Sequence, residues 1–132
     1  MQKQAEEWIQ YAKTDLLTVK EIINNELLTS VVAFHSQQCI EKSFKGILEL
    51  YDRKVPRIHD LRKLWNKINE LPLQFLSEIN FKDLDEINQV YIDARYPSDY
   101  GLLPDGKPSL EKVKDFMNLA ETIYKEAEKI IS

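Results

Sequence analysis

Apolar residues recur every three or four positions along most of this 132-residue chain, which is the spacing that places them on one face of an α-helix. The first such stripe predicts a helix over residues 6–24, built on Trp8, Tyr11, Ala12, Leu16, Val19, Ile22 and Ile23. The Asn-Asn pair that follows interrupts the stripe. Thr29 or Ser30 is then expected to cap a second helix by accepting a hydrogen bond from a free backbone N–H.

This second helix is predicted to run to about Asp52 and to have an apolar half and a polar half. At roughly 100° per residue, the apolar half consists of Val32, Ala33, Ile40, Phe44, Ile47, Leu48 and Tyr51. The polar half consists of His35, Gln38, Lys42, Lys45 and Glu49. Gln37 and Glu41 fall on the boundary, where they are positioned for a buried polar network with Arg95 or with lysines across the bundle. Phe34 is the one apolar residue on the polar side, so we interpret it as a partner contact.

Three further helices follow from the same spacing. A loop containing Pro56 precedes a short helix over 61–71, for which Asp60 is a suitable N-cap, and Pro72 ends that helix. Residues 73–80 are expected to form a turn or a single helical turn. A fourth helix ends near residue 96, because Pro97 disfavours helical geometry in the residue before it.

The stretch 97–108, PSDYGLLPDGKP, has the composition of an exposed loop. Ser109 is expected to cap the last helix, whose apolar stripe is Val113, Phe116, Met117, Ala120, Ile123, Tyr124, Ala127, Ile130 and Ile131. Short connections make neighbouring helices antiparallel. The pattern therefore predicts a single all-α domain over residues 1–132, an up-and-down helical bundle of four to five helices.

Composition and charge limit the classes of protein to which this chain can belong. The chain is 43% hydrophobic with three Gly and five Pro, which suits one helical core. The single cysteine, Cys39, excludes an intramolecular disulfide. The N-terminus MQKQAEEWIQ lacks a secretion signal and no apolar stretch reaches membrane-spanning length, so we expect a cytoplasmic protein with no membrane contact. A net charge of -4 requires that any nucleic-acid contact be a local site.

Two segments carry a resemblance to a known family. They are VVAFHSQQCIEKSFKGILELYDRKVPRIHDLRKL, residues 31–64, and YIDARYPSDY, residues 91–100. With the helix order they resemble the HEPN family (higher eukaryotes and prokaryotes nucleotide-binding). The resemblance implies a four- or five-helix bundle that dimerises. It also implies a minimal nucleotidyltransferase as partner in a toxin-antitoxin pair.

Family members that cleave RNA use an arginine followed a few residues later by a histidine, without a metal. The arginine holds the scissile phosphate and the histidine moves a proton near neutral pH. Here Arg95 matches the arginine, but no histidine follows it anywhere in the chain. This departure argues against the family's nuclease chemistry.

The candidate ligand-binding residues are Arg95, Tyr96, Asp99, Tyr100, Lys42, Lys45 and His59. Each also has a structural interpretation. The helix dipole favours a cation where Arg95 lies, and Tyr96 suits a helix end. The lysines suit a solvated face or dimer interface, and His59 suits a local bond or packing against the second helix. His35 stands alone on a polar face. No cofactor motif and no metal-ligand spacing occur, so we expect neither.

Three hypotheses follow. The first is a binding module for a nucleotide or RNA, a homodimer with a nucleotidyltransferase partner, in which Arg95 contacts the anion. The second is a metal-independent endoribonuclease in which Arg95 works with another proton carrier, His59 or Tyr100, across a dimer interface. The third is a purely structural dimer subunit in which residues 94–97 only end a helix and seal the interface.

Overall fold

The helical pattern of the sequence produces an all-α structure. The computed structural model describes residues 2–74, 79–95 and 107–132, with the backbone alone for 92–95. Across these residues the chain forms α1 (Gln2–Ile22), a 3-10 turn (Glu26–Leu28), α2 (Thr29–Leu50), α3 (Leu61–Asn69), α4 (Phe81–Arg95) and α5 (Leu110–Ile131). The described parts contain no strand. The predicted fold class and its five helices are confirmed.

Helix α2 is the centre of the bundle, because it packs against each of the four other helices. Its contact with α1 is the most extensive, and α5 lies against both. The largest fully buried side chains come from all of these helices except α1, and they are Ile40, Phe44, Ile47, Leu48, Leu61, Leu64, Ile68, Leu84, Ile87, Phe116, Ile123 and Ile131. The apolar half predicted for α2 therefore lies in the core.

α1 passes close to α2 at Gly46. A Cβ atom placed there would lie 3.2 Å from Cβ of Trp8 and 3.4 Å from the backbone oxygen of Ala5. It would also lie 3.0 Å from Cδ1 of Ile131 at the end of α5. Glycine lowers helix propensity, so its presence inside α2 is explained by this lack of space.

The helix starts test the predicted caps. Asp60 accepts hydrogen bonds from the backbone N–H groups of Arg62 and Lys63, and Ser109 accepts from that of Lys112, so both of these caps are confirmed. The cap predicted for α2 is wrong. Asn25 caps the preceding 3-10 turn, and α2 continues from that turn with Thr29 as its first residue.

The start of α2 needs no side-chain cap of its own because the 3-10 turn leads directly into it. Leu28 holds the N-cap position without a side-chain hydrogen bond. Thr29 is buried, and its Oγ1 has no hydrogen-bond partner among the described residues. The hydroxyl that the sequence offered as a cap therefore faces the interior.

The structure describes only parts of the two connecting segments that flank α4. Residues 71–74 and 79–80 are irregular, and 75–78, where a helical turn was predicted, lie outside the described residues. Most of the predicted loop over 97–108 also lies outside them. None of the described helices combines the length and the apolarity that crossing a bilayer requires.

Candidate functional site

A buried carboxylate on α2 organises a polar cluster in the bundle. Glu41 is buried, and its Oε2 accepts a hydrogen bond from Nζ of Lys45 at 3.0 Å. Its Oε1 lies 2.9 Å from Nδ1 of His59, which comes from the loop before α3. Nε2 of Gln37 lies 3.3 Å from the same oxygen. Both oxygens of the carboxylate are therefore occupied, which is what burial of a charge requires.

Gln37 fixes the backbone of the same loop. It is fully buried, and its Nε2 donates to the backbone oxygen of His59 at 3.0 Å. Its own side-chain oxygen accepts a hydrogen bond from Nε2 of Gln38 at 2.7 Å. His59 is consequently held at two points, its ring by Glu41 and its backbone by Gln37. The boundary residues of α2 do form a buried network, but its observed partners differ from the predicted ones: they are His59 and, from the same helix, Lys45, not lysines across the bundle.

The ring of His59 contacts Glu41 through one of its two nitrogens. A carboxylate only accepts hydrogen bonds, so Nδ1 carries the proton in the contact with Glu41. In the neutral ring the other nitrogen, Nε2, is then an acceptor, and in the charged ring it is a donor. The His59 side chain is 51% exposed while Glu41 is buried. This arrangement is able to exchange a proton with a ligand or to bind a phosphate.

A second unit of the same composition lies nearer the N-terminal end of α2. The buried carboxylate of Asp15 on α1 lies 2.8 Å from Nδ1 of His35 and 2.7 Å from Nζ of Lys42. The expectation that His35 stands alone is therefore wrong. The signal for it was in the sequence, because Asp15 follows Ala12 by three positions and precedes Val19 by four, which puts its carboxylate on the apolar face of α1.

The carboxylate of Asp15 also affects the one cysteine. Burial raises the pKa of the Cys39 thiol far above its ordinary value, and the negative charge of Asp15 adds to this effect. The hydroxyl of Ser43 opposes it. A thiol in this state is a poor nucleophile and a poor metal ligand, so we assign Cys39 no chemistry in the site.

Two aromatic side chains join the two histidines. The ring of His35 contacts that of Phe34 at 5.2 Å between centroids, Phe34 stacks on Tyr91 of α4 at 5.9 Å, and Tyr91 contacts His59 at 5.7 Å. We call these four residues the four-ring row. Phe34 is 37% exposed, so part of its ring is open to solvent. The sequence predicted Phe34 as a contact, whereas Tyr91 was noted only as the first residue of the 91–100 segment.

The row leads toward the arginine that the sequence singled out. Arg95 is the last residue of α4, one helical turn after Tyr91. His59 therefore lies against the helix that carries Arg95. Tyr96, Asp99 and Tyr100 lie outside the described residues, so their assignment stays a prediction.

The two predicted lysines have different environments. Lys42 is half-buried, is paired with Asp15, and has its ammonium 5.9 Å from the ring centre of Tyr11. Lys45 is only 6% exposed, so the solvated face predicted for it is wrong. Its ammonium is bound to Glu41 and lies 5.7 Å from the ring centre of Trp8. Helical spacing placed Lys45 outside because it cannot show that Trp8 and Glu41 close over this position.

The described residues contain no cluster of three or more His, Cys, Asp or Glu side chains arranged to hold a metal ion. Each histidine has one carboxylate beside it and a lysine on that carboxylate, and a cation so close disfavours a second one. The chemistry that the geometry supports is therefore proton transfer and anion contact by side chains.

Comparison with known proteins places this geometry in context. The family model of the HEPN domain matches residues 5–130. The crystal structure of TT1696 from Thermus thermophilus is similar, with a TM-score of 0.77, 19% identity, and coverage of 96% of this chain and 97% of that one. ST0689, an archaeal HEPN homologue, gives a TM-score of 0.71 at 22% identity, with 97% and 98% covered. No curated protein sequence matches.

Proposed function

This chain belongs to the HEPN domain family, and from that membership we propose that it is a binding module for a nucleotide or RNA that works as a homodimer. The observation that carries the proposal is the position of His59. Its half-exposed ring is fixed by buried Glu41 and lies against Tyr91, one helical turn before Arg95. We propose that the side chain of Arg95 and the charged form of the His59 ring bind a phosphate together, since both donate hydrogen bonds to anions.

The exposed part of the four-ring row adds a contact for the base. Aromatic rings stack on nucleobases, and each such stack contributes about 1–3 kcal/mol to binding. Phe34 is partly exposed, and its ring stacks on that of Tyr91. We propose that Phe34 stacks on a base while Arg95 and His59 contact the neighbouring phosphate, with Tyr96, Asp99 and Tyr100 as further ligand contacts.

The two lysines of α2 have separate parts in this proposal. Lys45 is buried in its pair with Glu41, so it positions His59 and does not touch the ligand. Lys42 is more accessible than Lys45. It is paired with Asp15, which also contacts His35 of the four-ring row. It contributes a positive field at the site.

Protein partners form the second part of the proposal. Large apolar side chains are exposed on α1, in the 3-10 turn and at the start of α2, namely Tyr11, Leu17, Leu27 and Val31. Exposed apolar groups of this size support protein contacts when they are close together. We propose a homodimer and, as a further partner in a toxin-antitoxin-type pair, a minimal nucleotidyltransferase.

Binding of a fluorescent 12-nucleotide RNA and of AMP tests the proposal directly. Wild type is compared with Arg95→Ala, and Lys114→Ala on the exposed face of α5 is the matched control for loss of one positive charge. We expect Arg95→Ala to weaken both ligands by about 10-fold, the loss of one charge-assisted hydrogen-bond pair. No binding by wild type, or equal binding by both variants, contradicts the proposal and leaves the structural-subunit hypothesis.

A second function is favoured by one specific observation. The contact of His59 with Glu41 fixes the proton on Nδ1 and leaves Nε2 as the acceptor, the arrangement of a general base. In this alternative the protein is a metal-independent endoribonuclease in which Arg95 binds the phosphate and His59 or Tyr100 carries the proton.

Incubation of labelled RNA in EDTA with wild type, Arg95→Ala, His59→Gln and Tyr100→Phe separates the two functions. Cleavage that is lost in Arg95→Ala and in one of the other two variants supports the enzyme. Binding without cleavage supports the binding module.

A further inference from the structure

The positive charge of this acidic protein is concentrated in one segment. The chain carries 18 Lys and Arg against 22 Asp and Glu. Residues 52–67 hold six of the basic residues and only two acidic ones, which gives this segment a net charge of +4 and the remainder -8. The segment comprises the loop after α2 and most of α3, and it contains His59. A polyanion that approaches the protein is therefore attracted to this side.

Three of these basic residues line one cleft. Arg53, Lys54 and Lys67 surround a cleft of about 270 Å³ between the end of α2 and the end of α3. Leu48, Glu70 and Leu71 complete its lining. Lys63 lies one turn before Lys67 on the exposed face of α3, so it extends the positive surface from the cleft along the helix.

The cations of the cleft are available to a ligand. Arg53, Lys54 and Lys67 are exposed, and none of the three forms an ion pair within the parts of the chain that the structure describes. By contrast, Arg62 of the same segment is already paired with Asp85 at 3.3 Å and packs on Phe81. Three uncompensated cations face the single carboxylate of Glu70, so the cleft keeps an excess of positive charge.

The cleft and His59 lie at opposite ends of α3. His59 precedes the helix by two residues, and Lys67 lies in its last turn. Nine helical residues span roughly 13 Å along the axis, which is more than one phosphate group bridges. A ligand that occupies both places needs at least two separated phosphates joined by a backbone. A nucleic-acid strand satisfies this requirement, and a nucleoside monophosphate does not.

We propose that the cleft of Arg53, Lys54 and Lys67 is a second phosphate site, which holds the backbone of an RNA strand whose neighbouring nucleotides reach His59 and Arg95. This inference rests on the proposed function and names its ligand as a strand. The cleft supplies affinity without base specificity, because cations that contact only phosphates do not distinguish sequences.

The same residues also have a purely structural explanation, which the experiment must distinguish from phosphate binding. The C-terminal ends of helices favour cations, and Arg53, Lys54 and Lys67 lie after or within the last turns of α2 and α3. If they served only the helix ends, their removal would lower the melting temperature and leave ligand binding unchanged.

The test measures the binding of a fluorescent 12-nucleotide single-stranded RNA and of AMP. It compares wild type with a triple variant, Arg53→Gln, Lys54→Gln and Lys67→Gln. The matched control is a second triple variant, Lys3→Gln, Lys13→Gln and Lys114→Gln. These substitutions replace exposed lysines on α1 and α5 and remove the same number of positive charges. A charge-retaining triple, Arg53→Lys, Lys54→Arg and Lys67→Arg, serves as rescue. Binding is followed by anisotropy between 50 and 200 mM salt, and folding by thermal melting.

We expect the triple Gln variant to bind RNA about 10-fold or more weakly, with the slope of log affinity against log salt reduced by about 2, the value for three phosphate contacts on a single strand. AMP binding should change less than 2-fold, and the control and rescue triples should bind RNA within about 3-fold of wild type.

The remaining outcomes distinguish failure of the cleft from failure of the proposed function. If wild type binds RNA and AMP and the triple Gln variant behaves like the control, the cleft is not a phosphate site and the proposed function stands. If RNA and AMP are weakened equally, the cleft is not separate from the His59 site. If RNA binding depends on the cleft but not on Arg95, the proposed site fails and the cleft stands. If wild type binds neither ligand, both proposals fail.

Discussion

Nδ1 of His59 lies 2.9 Å from Oε1 of Glu41, so a half-exposed ring takes its position from a carboxylate inside the bundle. The same carboxylate is bound by Lys45, which is itself buried. A site on the surface is thereby connected to the packing of α2. Substitutions in this connection are expected to change stability and ligand contact together.

Removing the charge of Glu41 is the most direct test of this connection. In Glu41→Gln the ammonium of Lys45 stays buried without a counterion, which costs about 3 kcal/mol in the free energy of unfolding. Urea unfolding measures this loss. Glu7→Gln, at an exposed position of α1, is the control and should change stability by less than about 0.5 kcal/mol.

The double variant Glu41→Leu with Lys45→Met sharpens the test. It removes both charges, so its loss of stability should be smaller than that of Glu41→Leu alone. A double variant that is less stable than Glu41→Leu would show that Lys45 contributes independently of the carboxylate.

Phe34 provides the second prediction, which concerns the base-stacking contact. Phe34→Leu keeps an apolar side chain but loses the aromatic face, so RNA binding should fall about 10-fold, within the range for one stacked base. Fluorescence anisotropy with a 12-nucleotide RNA checks this. Phe81→Leu, the same substitution at another partly exposed aromatic position, should leave RNA affinity unchanged. Equal affinities for wild type and Phe34→Leu would exclude Phe34 from the contact.

The sequence predicted the helices well and the environments of charged residues less well. Apolar periodicity located α2 and its core face because burial of a stripe is a local property of one helix. It failed at Lys45, whose burial depends on Trp8 from α1 and on Glu41. It failed also at Thr29, because the 3-10 turn before α2 removes the need for a hydroxyl cap.

The site was predicted in pieces, for the same reason. Gln37, Glu41 and His59 were each identified as candidates for polar contacts, and the structure joins them in one network. The pairing of His35 with Asp15 was missed because it joins two helices, 20 residues apart in sequence. Single-helix periodicity does not show which faces of two helices meet.

Gly46 gives a prediction about packing. Replacing glycine inside a helix usually stabilises it, by up to about 1 kcal/mol. In Gly46→Val the added methyl groups would press on Trp8 and on the α1 backbone, so we expect a net loss of about 1–3 kcal/mol. Chemical unfolding measures it.

The control for this packing prediction is Gln10→Val, which places the same β-branched residue on an exposed face of α1 and should cost about 0.5 kcal/mol. A Gly46→Val variant as stable as this control would mean that α1 and α2 can move apart at Gly46 without loss of stability.

The pair of Lys20 and Glu121 gives a prediction for pH. The hydrogen bond from Lys20 lowers the pKa of Glu121 below its ordinary value of 4.5, and the positive charge of Lys20 adds to this. A carboxyl whose pKa is lower in the folded state stabilises the fold above its unfolded pKa and loses that contribution as pH falls through the folded value. The contribution is therefore full near pH 7 and decreases below about pH 4.5.

Lys20→Met measures this contribution. Both side chains are partly exposed, so the loss at pH 7 should be about 0.2–1 kcal/mol. The difference between wild type and variant should shrink as the pH is lowered to 3. Lys13→Met, at an exposed position of α1, is a control for removing a lysine without such a contact. A difference that stays constant from pH 7 to pH 3 would contradict the assignment.

The central position of α2 determines how rigid the proposed His59 site would be when a ligand binds. Because α2 contacts every other helix and also carries Gln37 and Glu41, the support for His59 is complete as soon as the bundle has folded. A ligand would therefore not have to order this side of the site, and the entropy cost of fixing side chains on binding would be small there. Ligand binding at the proposed His59 site would then be preorganised, and its rate would be governed by diffusion and charge rather than by rearrangement of the protein.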